Sequence, residues 1–177
     1  MNGAGTRDRT EPGIRETPAV RVGGAGWWGT AARAVLAAVL GYAGLVKIGD
    51  LAEAGRTMAL YRIVPQDAAQ TVGGVLPFVE VALALLLAAG LATRAVAVAA
   101  AVLMAAYTAA IVSVWARGLS IDCGCFGGGG TLTSGAARGY AVDIVRDVLL
   151  LGVAAFLVRA PRTRYALDGW VLDAKEE

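Results

Sequence analysis

The stretch Ala95-Val-Ala-Val-Ala-Ala-Ala-Val-Leu-Met-Ala-Ala-Tyr-Thr-Ala-Ala-Ile-Val-Ser-Val-Trp-Ala116 carries no charged side chain. A bilayer core about 30 Å thick takes roughly 20 apolar residues to cross as a helix. The stretch therefore predicts a transmembrane helix over 95–116. The run before it, 72–92, holds one charge, Glu80, and reads the same way. Between Arg33 and Lys47 the uncharged stretch is too short to cross alone. Both basic residues stand near its ends, where long side chains snorkel to the interface. Counting 27–48 then gives a full span, with Trp27 and Trp28 as interfacial anchors. The last run, 140–158, carries Asp143, Arg146 and Asp147 in its first half and is apolar from Val148 onward. It reads as a fourth span whose opening turns are partly solvated or face protein. The fold class expected is all-α, an integral membrane four-helix bundle over 27–159.

Composition agrees. Apolar residues make up 57% of the 177 and charged residues 17%, against about 25% charged in an ordinary soluble domain. The flanks differ from the spans. The arm 1–26 is rich in Gly, Arg, Thr and Glu, lacks hydrophobic periodicity and is expected to be disordered. It does not read as a secretory signal, because the apolar run behind it is of full membrane length. Between 50 and 70, Leu51, Ala54, Met58 and Tyr61 recur at helical spacing, which predicts a short amphipathic surface helix ended by Pro65. Pro77 is expected to mark the loosened start of the second span. The tail 160–177 is charged, with scattered aromatic residues. On the first helix, Ala34, Ala37, Ala38, Gly41 and Gly44 fall at spacings that let helix backbones approach within a bilayer.

A net charge of +2 argues against bulk-charge binding to nucleic acid; Lys and Arg instead orient the chain. Four spans put both termini on one side, together with Arg7, Arg9, Arg15, Arg21, Arg94, Arg159, Arg162, Arg164 and Lys175. The other side holds Lys47, Arg56, Arg62, Arg117 and Arg138. By the positive-inside rule the termini are expected in the cytoplasm of a multi-pass cell-membrane protein. The loop after the third span then faces outward, where disulfides persist.

That loop holds the two cysteines of the chain, Cys123 and Cys125, in Asp122-Cys-Gly-Cys-Phe-Gly127. Closing a Cys-X-Cys ring requires a tight turn, for which Gly124 supplies the backbone freedom. A strained disulfide is easily reduced and passes its bond to another thiol. Three readings stand open: thiol–disulfide exchange, a static or inert pair, and Cu(I) held by two thiolates. With no histidine in the chain, a Cys/His zinc site within one chain and histidine-ligated haem are excluded. The membrane charges form the second candidate feature. Glu80 stands about 12 Å into its expected span, and an ionisable group there is costly unless it has a role. Lys47, Asp143, Arg146 and Asp147 fall in the same half of the bilayer, and Glu80 has Lys47 or Arg146 as candidate partners. Such a cluster suits the protons that accompany electron transfer to a lipid-soluble acceptor such as a membrane quinone. The alternative is that the ion pairs only lock the bundle.

Several segments together carry a resemblance: Gly41-Tyr-Ala-Gly-Leu-Val-Lys47, Tyr61-Arg-Ile-Val-Pro65, Leu76-Pro-Phe-Val-Glu80, Asp122-Cys-Gly-Cys-Phe-Gly127 and Arg146-Asp-Val-Leu-Leu150. Over roughly 30–158 the chain resembles the MauE family of methylamine-utilisation membrane proteins, which is similar to the wider DoxX-like group of four-helix membrane proteins. The resemblance implies a four-helix bundle that forms or isomerises disulfides in an exported or membrane partner bearing cysteines, methylamine dehydrogenase being the named case. It implies Cys123 and Cys125 as the reactive pair, with Lys47, Glu80 and Arg146 as accompanying polar residues; the residues themselves read further as Glu80 tuning the polar site and Asp122 supporting it beside the pair. The DoxX-like kinship also admits a non-catalytic subunit that holds a redox partner. Whether the chain turns over as an enzyme is open at this level.

Overall fold

The computed structural model describes residues 25–124, 130–131 and 135–159. Cys125, the glycines 127–129, the arm up to residue 24 and the tail 160–177 lie outside the described residues. Four helices of 24 residues each form the body: α1 (Ala25–Ile48), α3 (Gln66–Ala89), α4 (Thr93–Ala116) and α5 (Ala136–Arg159). At 1.5 Å per residue each is about 36 Å long, enough to cross a bilayer. A shorter helix, α2 (Leu51–Leu60), joins α1 to α3, and a two-stranded ribbon, β1 (Ile121–Asp122) with β2 (Gly130–Thr131), lies between α4 and α5. The ribbon is antiparallel, with Ile121 opposite Thr131 and Asp122 opposite Gly130.

Helices α1, α3 and α4 are long and apolar enough to cross a membrane. Helix α5 has the same length but more charge, and its orientation resolves the conflict. Val142, Val145, Val148, Leu149 and Phe156 are exposed, whereas Asp147 is buried. Apolar outside and charged inside is the inverse of a soluble helix and fits a lipid surround. The most extensive packing joins α1 to α3 and α4 to α5; α3–α4 and α1–α5 contacts close the ring. The protein is an all-α membrane four-helix bundle.

Sequence sets the ends of these elements. Asp50 caps α2, its carboxylate accepting from the Glu53 N–H at 2.8 Å and so satisfying one of the free donors of the first turn. Helix α2 stops at Tyr61 and Arg62, where φ turns to 51°, several residues before the proline expected to end it. Pro65 instead precedes α3, which begins at Gln66 where the span was expected to start at 72. Pro77 is thus a mid-helix proline, not a marker of the helix start. Gly90, at φ 68°, closes α3 with N–H bonds back to Leu86 and Leu87, and the chain reverses at once into α4. This reversal defines one end of the bundle; α2, the ribbon and the 117–124 segment define the other.

Two glycines permit the close crossings. A Cβ on Gly44 would stand 2.7 Å from the Pro77 carbonyl oxygen, so α1 meets α3 at the proline turn. A Cβ on Gly73 would stand 2.8 Å from the Cα of Gly55, which seats α2 against α3. Of the small residues on α1, Ala34 and Ala38 face outward and do not serve these crossings. Arg33, expected to reach the interface, is 5% exposed within the bundle.

The core has two apolar parts. Leu36, Leu40, Leu87, Ala97, Ala100, Met104, Ala154 and Leu157 fill the end near the α3–α4 reversal. Tyr61, Ile111, Val114, Ile121, Ala136 and Tyr140 fill the other. A polar layer separates them. Gly44→Ala is expected to lower stability by about 1–3 kcal/mol through overpacking. Gly74→Ala, with nothing within 4 Å of the added carbon, is expected to be neutral or stabilising by up to about 1 kcal/mol. Unfolding in mixed micelles compares the two; equal losses would contradict this placement.

Candidate functional site

The polar layer is built from one turn of each long helix. The last turn of α1 brings Lys47, whose Nζ lies 2.7 Å from Oε1 and 3.0 Å from Oε2 of Glu80 on α3. The Glu80 side chain is wholly buried and that of Lys47 is 13% exposed. Tyr107 on α4 donates its hydroxyl to the same Glu80 carboxylate. Lys47 Nζ also sits 5.1 Å from the centre of the Tyr107 ring, within cation–π range. Of the two partners expected for Glu80, Lys47 is the one it takes. Arg146 turns to its own helix, with ion pairs to Asp143 at 2.9 Å and Asp147 at 3.0 Å. The two groups still adjoin, because Lys47, Glu80, Tyr107, Arg146 and Asp147 line one small void. Oδ2 of Asp147 is buried there without a hydrogen-bond partner among the described residues.

Asp122 stands apart from this layer, in the loop. Its Oδ1 accepts from the Gly124 N–H at 2.9 Å, and Gly124 adopts φ 65°, the left-handed backbone that glycine tolerates. This is an Asx-type turn, and it supplies the tight bend expected right after Cys123. Two tyrosines hold the segment. Tyr140 on α5 donates to the Leu119 carbonyl at 2.8 Å and accepts from the Ile121 N–H at 2.8 Å. Tyr61, just past α2, donates to the Cys123 carbonyl at 3.1 Å. Arg117, at the end of α4, donates in turn to the Tyr61 carbonyl. The half-buried Cys123 is therefore fixed through its backbone to both sides of the bundle end.

Between the loop and the polar layer lies a cavity of about 600 Å³, walled by the end of α1 and by α2, α3 and α4. Cys123 and Gly124 line it at the loop, Lys47 and Tyr107 at the polar layer. The cavity thus connects the cysteine loop with the polar layer, Glu80 being reached through Lys47 and Tyr107. Tyr107, Tyr61 and Tyr140 were not legible as site residues. The signal for Tyr107 was weak but present: a phenol inside an uncharged span requires a hydrogen-bond partner, and Glu80 is the acceptor on the neighbouring span.

Fold and site together define a polytopic helical membrane protein with a thiol-bearing loop above a buried ion pair. The sequence pattern of the methylamine utilisation protein MauE family matches residues 25–160, and the chain belongs to that family. No curated protein and no solved structure matches it.

Tyr140→Phe leaves two backbone groups at a buried position without their partner, at about 1–3 kcal/mol each. Hydrogen exchange of the 117–124 amides is expected to accelerate at least about tenfold in this variant and less in Tyr61→Phe. Unchanged exchange in Tyr140→Phe would show that the tyrosine does not hold the loop.

Proposed function

We propose that this membrane protein takes part in thiol–disulfide exchange, as an accessory to the redox maturation of an exported or membrane partner that carries cysteines. The reading rests on the placement of Cys123: one thiol of a Cys-Gly-Cys pair, on a turn pinned by Asp122 and Tyr61, at the edge of a cavity whose far wall is the Lys47–Tyr107 pair. The reaction begins from the Cys123–Cys125 disulfide. A thiolate of the partner attacks one sulfur and forms a mixed disulfide. The second partner thiol displaces the cysteine, so the partner leaves with a disulfide and the pair is left as two thiols. Two electrons and two protons have moved onto the pair. A lipid-soluble acceptor then takes both, with Glu80, Lys47 and Tyr107 handling protons between loop and bundle. In this reading the termini are cytoplasmic and the loop lies on the oxidising side of the membrane.

Thiol trapping in intact cells tests it. A membrane-impermeant maleimide is expected to label Cys123 and Cys125 only after reduction, and without rupture of the membrane. Cys123→Ala or Cys125→Ala is expected to accumulate a reductant-sensitive adduct with the partner. Thiols that stay unpaired under every oxidant condition would defeat the exchange reading, and labelling that requires rupture would reverse the topology.

A further inference from the structure

The charged side chains of the polar layer do not balance. Lys47 and Glu80 cancel across α1 and α3. On α5 one guanidinium, that of Arg146, is shared by two carboxylates, Asp143 at 2.9 Å and Asp147 at 3.0 Å. Three acids thus face two cations. The other basic residues of the four long helices do not make up the difference. Arg33, Arg94 and Arg159 stand about 18 Å or more along their helices from Lys47, Tyr107 and Asp147 respectively. Arg138 is exposed in the first turn of α5, and Arg117, just past α4, donates to the Tyr61 carbonyl at the loop end. An unmatched charge inside a bilayer is costly, and two carboxylates that share one partner repel each other.

The contacts single out Asp147, near the middle of α5. Its side chain is 3% exposed, against 18% for Asp143. An ionised carboxylate commonly meets arginine with both oxygens, through two parallel N–H bonds. Here Nε and a terminal nitrogen of Arg146 converge on Oδ1 alone, at 3.1 and 3.0 Å. Oδ2 is buried with no hydrogen-bond partner among the described residues. One oxygen that accepts twice and one that accepts nothing is the pattern of a neutral carboxyl, whose second oxygen bears the hydrogen. Across the small void that Asp147 lines stand Lys47 of α1, Glu80 of α3 and Tyr107 of α4. Lys47 and Tyr107 both donate to Glu80, not to Oδ2.

We infer that Asp147 is a proton-binding site of the bundle: its carboxyl is protonated on Oδ2 at neutral pH, which leaves the polar layer without net charge. The inference does not rest on the thiol-exchange reading; it follows from charge and contact alone. It also separates two kinds of proton in the layer. Those of Lys47 and Tyr107 hold Glu80 in place, whereas the proton of Asp147 leaves without breaking that contact.

Carboxyl-carbon NMR of the full chain in nanodiscs, with isotope-labelled aspartate, reads the protonation of each acid separately. The sequence makes the assignment direct, because Asp147-Val148 is the one Asp-Val pair of the chain and Asp143-Ile144 the one Asp-Ile pair. At neutral pH the Asp147 resonance is expected at the position of a neutral acid, and that of Asp143 at the position of a carboxylate. Raising the pH is expected to move Asp147 to the carboxylate position. An Asp147 resonance already at the carboxylate position at neutral pH overturns the inference, and so does a neutral Asp143 beside an ionised Asp147. Asp147→Asn, which has the shape of the neutral acid, gives a second reading through thermal unfolding in the same nanodiscs. It is expected to unfold within about 5 °C of wild type. A larger fall means that the wild-type fold uses a negative charge at this position, and overturns the inference as well; should the variant not fold, the wild-type resonances decide.

Discussion

The ion pair between Lys47 and Glu80 is the constraint on which the bundle depends. A carboxylate with no exposed surface, midway along a transmembrane helix, is tolerated only if its charge and lone pairs are met by protein. Lys47 meets the charge and the Tyr107 hydroxyl adds a hydrogen bond, so one side chain ties α3 to α1 and α4. Gly44 makes this reachable. Without a side chain there, α1 approaches the Pro77 turn of α3, and Lys47, three residues on, meets Glu80, three residues beyond the proline. Pro77 lacks an N–H and breaks one internal bond of α3, at the height where α1 presses closest.

The same layer organises the two cores. Towards the α3–α4 reversal, small and branched apolar side chains interdigitate. Towards the loop, aromatic residues take over, and their hydroxyls point at backbone rather than at one another. Tyr61 and Tyr140 thus hold the backbone of Leu119, Ile121 and Cys123 in place. The cavity between this turn and the polar layer is where α2 leans on α3 through Gly55 and Gly73. Cys123 lines that cavity at one end and Lys47, the partner of Glu80, at the other.

The sequence disclosed the membrane bundle because the bilayer imposes a length and an apolar composition that any single span must satisfy on its own. The runs around Leu87 and Met104 announce themselves for that reason. Helix α5 was harder, since Arg146 and Asp147 lower its apolar character and only packing reveals that Asp147 turns inward. The family was legible too, from segments that include Lys47, Glu80 and the Cys-Gly-Cys loop, all of which fall within the matched residues 25–160. Partner choice was not. Glu80 had two basic candidates at comparable depth, and the decision lies in the α1–α3 crossing at Gly44, a contact between helices separated in sequence by α2. The cavity was invisible for the same reason, being made of gaps between elements. Pro77 misled because its ring suits a helix start as well as a membrane kink.

A double-mutant cycle at Lys47 and Glu80, by reversible unfolding in mixed micelles, tests the central contact most directly. Each single change, Lys47→Met or Glu80→Met, is expected to cost about 3–5 kcal/mol by leaving one buried charge without its partner. The double variant is expected to lose less than either single change, because both charges are then gone. Costs that add to within about 0.5 kcal/mol would mean that the two side chains do not interact, and the polar layer would lose its role in setting the fold.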